Sequence, residues 1–486
     1  MDQKSIKRYM IILVAILFMF GFKYVPAFSG LSQSGMQVLG IFIGVLILWL
    51  TISIDWPSIM MIGALALVPD LSFKSILSGS YGNAQFIFLM YTFILTYALS
   101  KTSFIKRTAI SFITSKIAQK GPWYFVMLYF ASILFIGAFI SPTVLFFVYL
   151  PIIEEVYHLL KLEKGDKLAA MLMMGTVVMC GISSGMTPIA HVFPLLAMGL
   201  YSDMYNVAIG YGQYMLVAVP TGLIVALLTV LLFKLALKPD LSPLAKFDVH
   251  KISGIDEKVK SSEKIVLAVF IAVICLWVLP DTIVNLMDSG IIFDFFNKIK
   301  GFGTAMPPLI GIVVLCIIQS EGKPLLNIAE AMSKGVSWPS LVMFAGTLAI
   351  GSALTNNDIG LTTWISNGLS PIIANLSPLI MVLIFTLWAA IQTNLSSNMV
   401  TSTVVTSAAL VITAGMSNVN IAAIVINIGM MASYSFATPP AMPCVAIASS
   451  TGWTNTMQMM KYGFGAMLIA VVVATIFTYP LASIIL

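Results

Sequence analysis

The chain has 486 residues, of which 59% are hydrophobic and 9% charged, with a formal net charge of +6. That balance excludes a soluble globular protein, and the lack of two-residue apolar alternation excludes a membrane β-barrel. The cations sit in loops between apolar runs, where the positive-inside rule places them, so the charge points to a membrane and not to nucleic acid.

The sequence predicts an all-α polytopic membrane protein of about 11 transmembrane helices plus two re-entrant hairpins. Lys4, Lys7 and Arg8 precede an apolar run from Tyr9 to Phe22. A retained first helix is preferred over a signal peptide cut near Val25-Pro26-Ala27, because the loop charges further on then fall on consistent sides. Met36 to Ile52 is the second crossing, and Asp55-Trp56-Pro57 turns the chain into a third that runs to Val68. Phe86 to Ser100 is the fourth. Thr102 to Gln119 reads as a basic amphipathic helix on the cytoplasmic surface, with Ile105, Ala109, Phe112 and Ile113 on its apolar side.

From Trp123 to Leu160 two short apolar arms meet at Ser141-Pro142-Thr143. Pro142 removes a helical donor and disfavours helix at Ser141. A re-entrant hairpin over 123–160 is the expectation; a proline-kinked helix is the competitor. The next crossing, 168–200, breaks over Gly181 to Pro188. Tyr214 to Leu237 returns to the cytoplasm, and 238–264 is a hydrophilic linker.

The second half repeats the first. A shift of 255 residues sets Ser78 on Ser333, Thr92 on Thr347 and Ala98-Leu99 on Ala353-Leu354, and Pro142 falls one place short of Asn398. The expected units are 1–35 (N-terminus and first helix), 36–237 (first repeat), 238–264 (linker) and 265–486 (inverted second repeat, with hairpin 378–415 and broken helix 419–448). A second surface helix, Asp358 to Leu369, lacks Lys and Arg, as an extracellular element should. This threading, with the N-terminus cytoplasmic, leaves only Lys23, Lys74, Lys298 and Lys300 of the 25 Lys and Arg outside a cell membrane.

The stretch that concentrates chemistry is Trp388 to Pro440. Between Gly335 and Met460 there is no Lys or Arg, and Asp358 is the only acid. Hydroxyls and amides from Gln392 to Thr403, and again from Ser433 to Pro440, therefore lie at membrane depth without charges. Irregular backbone survives there only if it is buried in protein or lines a cavity. Helix N-termini bind anions without cationic side chains, and unwound carbonyls can hold Na+. Ser397, Asn398 and Thr438 are the expected donors to a carboxylate, matched in the first half by Ser141, Pro142, Thr143, Thr187 and Pro188. For any one hydroxyl a back-bond within its own helix is the plainer reading, whereas the cluster argues for a site.

These motifs resemble the divalent anion/sodium symporter superfamily, whose members carry Ser-Asn-Thr at each hairpin tip and a Thr-Pro-rich break in each following helix. The second half matches in Ser397-Asn398-Met399 and Ala437-Thr438-Pro439-Pro440; the first departs, with Pro142 in place of Asn and His191 after Thr187-Pro188. The resemblance implies a homodimer and an elevator mechanism, with a transport domain over 121–237 and 371–486 moving against a scaffold over 1–120 and 265–370. It implies small dicarboxylates such as 2-oxoglutarate, malate, succinate or fumarate, or citrate, as substrate. It adds Met399, Pro439 and His191 to the substrate set.

No cofactor or resident metal is expected. If Na+ is used, Thr393, Asn398 and Ala437 are its expected ligands. Pro142 offers no side-chain oxygen, and a charged His191 could stand in for Na+. Na+-independent dicarboxylate exchange is therefore the expectation, with Na+-coupled dicarboxylate or citrate symport as the alternative. A remote third reading is an intramembrane serine protease, because Gly181-Ile182-Ser183-Ser184-Gly185 matches GxSxG with His191 nearby.

Overall fold

A computed structural model describes residues 3–245, 259–287, 289–356, 358–361, 363–364, 367–368, 376–414, 416 and 418–486. Of the expected linker, 238–264, residues 246–258 lie outside the described residues, as do 362, 365, 366 and 369 of the second surface helix.

The chain is almost wholly helical. Among the described residues, 8 helices are long and apolar enough to cross a membrane, or up to 11 if each of three bent pairs counts as one span. The only strands described are the two-residue pair Gln319–Ser320 and Lys323–Pro324. The first half of the chain holds α1 (Gln3–Gly21), α2 (Gln33–Thr51), α3 (Trp56–Leu65), α4 (Phe73–Gly79), α5 (Ala84–Ser100) and α6 (Phe104–Ile113). It continues with α7 (Pro122–Gly137), α8 (Pro142–Leu160), α9 (Lys167–Met186), α10 (Val192–Tyr205) and α11 (Tyr211–Leu232). The second holds α12 (Ser261–Leu286), α13 (Ile291–Gly301), α14 (Met306–Ile317) and α15 (Trp338–Thr355). After it come α16 (Pro378–Leu395), α17 (Asn398–Ile412), α18 (Ile421–Ser433), α19 (Pro443–Ser450), α20 (Thr456–Val473) and α21 (Tyr479–Ile485).

Local chemistry explains most starts. Proline opens α3, α7, α8, α14, α15, α16 and α19, where its missing N–H costs nothing. Ser32, Asn83, Ser377, Ser397, Asn420 and Asn455 cap their helices with side-chain oxygens.

The 255-residue shift has a structural counterpart. The bent pair Phe73–Gly79 with Ala84–Ser100 recurs as Ile328–Gly335 with Trp338–Leu354, bent by 41° and 74°. In each half the two hairpin arms, α7 and α8 or α16 and α17, pack on the first segment of the following broken helix, α9 or α18. Each broken helix then sends its second segment to the other half: α10 packs on α17 and α18, and α19 on α8 and α9.

One alternative falls away and two expectations shift. Pro142 is the first residue of α8, after an extended Ser141, so the kinked-helix alternative fails and the proline inside α8 is Pro151. The first break is shorter than 181–188. The α9 helix runs through Met186, held by the Tyr214 hydroxyl, which donates to the Gly185 carbonyl at 2.7 Å. Gly181 and Gly185 are there because Cβ atoms would meet Phe436 and Tyr434 at 2.6 and 2.8 Å. On the surface helix, Ile110 and not Phe112 joins Ile105, Ala109 and Ile113 in burial.

Candidate functional site

The second half builds its tip and break into one network. The α16 helix ends at Leu395 and α17 starts at Asn398, so the tip is two residues long. Asn394 Nδ2 donates to the Tyr434 carbonyl at 2.9 Å, and its Oδ1 accepts from Ala437 N at 2.8 Å. Its own carbonyl accepts from the Thr438 hydroxyl. Thr393 Oγ1 donates to Ala432 O at 2.8 Å and stands 2.9 Å from Asn398 Oδ1; Asn398 Nδ2 donates to Ser435 Oγ at 2.7 Å. A hydroxyl has one proton, and here two acceptors compete for it. The surroundings of Thr393 and Asn398 are therefore richer in oxygen lone pairs than in hydrogens. Ser397 caps α17, accepting from Val400 N at 3.4 Å. Met399 is buried and Pro439 half-buried.

The first half keeps one element of this design. The Thr187 hydroxyl donates to the Ala138 carbonyl, as Thr438 does to Asn394, and it also accepts from Ile189 N and Ala190 N at 3.2 and 3.3 Å. Alanine at 138 offers nothing further, and Pro142 is buried without a side-chain oxygen. Pro188 is buried and Thr143 half-buried. His191 caps α10: its Nδ1 accepts from Val192 N at 3.0 Å, and its ring stacks on Phe193 at 3.8 Å. In this capping role Nδ1 is an acceptor, so that nitrogen offers no hydrogen to an anion.

The two halves meet tip to break. Cys444 Sγ contacts Pro142 O at 3.6 Å, setting the start of α19 against the start of α8. Ser402 Oγ donates to Phe193 O at 2.8 Å, setting the first turns of α17 against the start of α10.

A cavity of about 300 Å³ opens on the first-half tip. Its lining includes Ser141, His191 and Ser337, the residues that precede α8, α10 and α15. Three helix starts, each at the positive end of its helix dipole, thus border one space. Tyr97 and Lys334 also line it. Ser397, Asn398 and Thr438 do not, so the cavity reaches only the first of the two expected tips.

Sequence reasoning missed Asn394, which binds tip to break, and Lys334, which stands one residue before the cation-free stretch. The 255-residue comparison could have exposed Asn394, because it sets an apolar residue, Phe139, at the matching place in the first half. The GxSxG match has no catalytic geometry. Ser183 Oγ donates to Cys180 O at 3.0 Å and Ser184 Oγ to Gly181 O at 2.8 Å, both within α9, while His191 caps α10.

A family model described as the sodium:sulfate symporter transmembrane region matches residues 3–484. The sodium-dependent dicarboxylate transporter SdcS of Staphylococcus saprophyticus is 24% identical over 466 residues, covering 93% of this chain and 87% of its own. A protein of the same name from Staphylococcus aureus is 24% identical over 490 residues, covering 94% and 88%. Among solved structures, the YdaH transporter of Alcanivorax borkumensis has a TM-score of 0.53 at 10% identity, over 84% of this chain and 87% of that one. That last likeness is one of fold.

Proposed function

The chain belongs to the sodium:sulfate symporter family, and from that membership we propose that it moves small dicarboxylates across a cell membrane together with Na+. It is a multi-pass membrane transporter and not an enzyme. The observation that carries the proposal is the pair of unlike ends. The first-half cavity gathers three helix N-termini suited to carboxylate, and the second-half tip is rich in oxygen lone pairs suited to a hard cation.

Na+-independent exchange was the expectation from Pro142 and His191, and it gives way here. The relatives are sodium-dependent by name, and His191 serves as the cap of α10. The missing oxygen at Pro142 weakens one Na+ position and leaves the other intact. In this reading Thr393 and Asn398 hold Na+ with backbone carbonyls near Ala437. Ser141, Thr143, Thr187, Pro188 and His191 meet substrate from one side, and Ser397, Met399, Thr438 and Pro439 from the other. The proposal includes a homodimer, a cytoplasmic N-terminus, and a transport domain of 121–237 and 371–486 that moves as an elevator.

The substrate class is tested by competition. Liposomes holding the purified protein take up labelled succinate, and unlabelled malate, fumarate, 2-oxoglutarate, citrate and sulfate are added in turn. Inhibition by the dicarboxylates and indifference to sulfate supports the proposal. Uptake blocked by sulfate and untouched by dicarboxylates refutes it.

A further inference from the structure

At the mouth of the first-half cavity a carboxylate is already in place. Glu330 Oε1 accepts from the Tyr97 hydroxyl at 2.8 Å and from Lys334 Nζ at 3.2 Å. Lys101 Nζ stands 3.7 Å from the same oxygen and 4.9 Å from the centre of the Tyr97 ring. Tyr97 and Lys334 line the cavity with Ser141, His191 and Ser337, whereas Glu330 is not part of its lining. Two groups that face the cavity are thus engaged from outside it by a side-chain carboxylate.

The engagement is weak enough to exchange. Lys334 and Glu330 are an i,i+4 pair whose side chains are 65% and 41% exposed. Pairs of that kind contribute little, because water competes for both partners and holding them costs side-chain entropy. The lysine ammonium has three hydrogens, and Glu330 is the acceptor bonded to it here. A carboxylate arriving by way of the cavity can take up a second hydrogen, or displace Glu330, at little cost.

We infer that Lys334 and Tyr97 form an entry subsite for one carboxylate of the dicarboxylate substrate, and that Glu330 is a resident carboxylate which the substrate displaces. The inference rests on the dicarboxylate reading above. It adds a contribution from outside the hairpins and broken helices, since Tyr97 belongs to α5 and Lys334 to the short helical segment Ile328–Gly335 before α15. One substrate carboxylate meets the helix N-termini at Ser141 and His191, and the other meets Lys334. The subsite favours two charges over one, a preference the N-termini alone do not impose.

Equilibrium binding of labelled succinate to the purified full-length protein in detergent with Na+ tests this without regard to membrane sidedness. Lys334→Ala should raise Kd about threefold, in keeping with the modest worth of exposed charge pairs. Lys334→Arg should restore most of the loss. Glu330→Gln should shift Kd the opposite way, tightening binding about twofold, and that gain should vanish in Glu330→Gln combined with Lys334→Ala. Butyrate, with one carboxylate, should compete equally poorly against wild type and Lys334→Ala. An unchanged Kd in Lys334→Ala, weaker binding in Glu330→Gln, or a gain that survives loss of Lys334 overturns the subsite while leaving the dicarboxylate reading standing. Wild-type protein that binds no dicarboxylate overturns both.

Discussion

The two hairpin-and-break units share a design and differ in finish. In both, a threonine before a proline donates its hydroxyl to a carbonyl where the first hairpin arm ends: Thr187 to Ala138, and Thr438 to Asn394. In the second unit the Asn394 carboxamide then ties Tyr434 and Ala437 to the tip, and Asn398 ties Ser435. In the first, Ala138 and Pro142 make no such ties, and Ser141 and His191 line an open cavity. The repeat thus keeps the backbone latch that any break at membrane depth needs. It spends its side chains unequally, giving a stitched end suited to an ion and an open end suited to an organic anion.

The largest effect expected from breaking that asymmetry comes from Asn394→Ala. It leaves the buried Ala437 N–H and Tyr434 carbonyl without partners, and a buried unsatisfied group costs ~1–3 kcal/mol. The unfolding temperature in detergent should fall by several degrees, with transport lost. Ala138→Gly, at the matched position, cuts no side-chain bond and should cost ~1 kcal/mol or less. Equal losses in the two variants would remove the claimed difference between the units.

Next come the ion ligands. Thr393→Ala and Asn398→Ala should raise the Na+ concentration for half-maximal uptake by roughly tenfold or more, the worth of one hydrogen bond or ligand contact to a charge. Ser397→Ala and Thr438→Ala should weaken substrate more than Na+. A Na+ requirement unmoved by either of the first two changes places the ion elsewhere. Pro142→Asn sharpens the comparison from the other side. By giving the first tip the side-chain oxygen it lacks, it should lower the Na+ requirement a few-fold and steepen the Na+ response, read as the Hill coefficient of uptake.

The smallest effect is expected at His191. Asparagine is among the best N-cap residues, so His191→Asn keeps the cap on α10 and should change uptake by less than about twofold; His191→Ala loses it at ~1 kcal/mol. Abolished transport in His191→Asn would give the imidazole a role beyond capping.

Much of this architecture is legible in the sequence because a few residues announce it. Pro142, Ser397-Asn398 and Pro439-Pro440 interrupt apolar runs that are otherwise long enough to cross, and polar, irregular backbone at that depth has to be buried in protein or line a cavity. The 255-residue shift, resting on four residue matches, falls on the two bent pairs at 73–100 and 328–354. What was not legible depends on contacts between distant segments. Gly181 and Gly185 read as helix breakers, yet α9 continues through them because Phe436 and Tyr434 from the other half press against them. Asn394 looked like one hydroxyl-cluster neighbour among many, and only the placement of Ala437 and Tyr434 shows that it holds tip to break. Lys334 sits just outside the apolar stretch, and its place in the cavity depends on how the bent helical segment Ile328–Gly335 packs on Tyr97.

The central claim is that Na+ and a dicarboxylate move together, and one measurement meets it directly. Purified protein is placed in liposomes free of internal dicarboxylate, and entry of labelled succinate is followed under an inward Na+ gradient and in choline buffer. The account predicts uptake into empty liposomes that needs the Na+ gradient and collapses in choline. Uptake that ignores Na+ and appears only when the liposomes are preloaded with unlabelled dicarboxylate would contradict it.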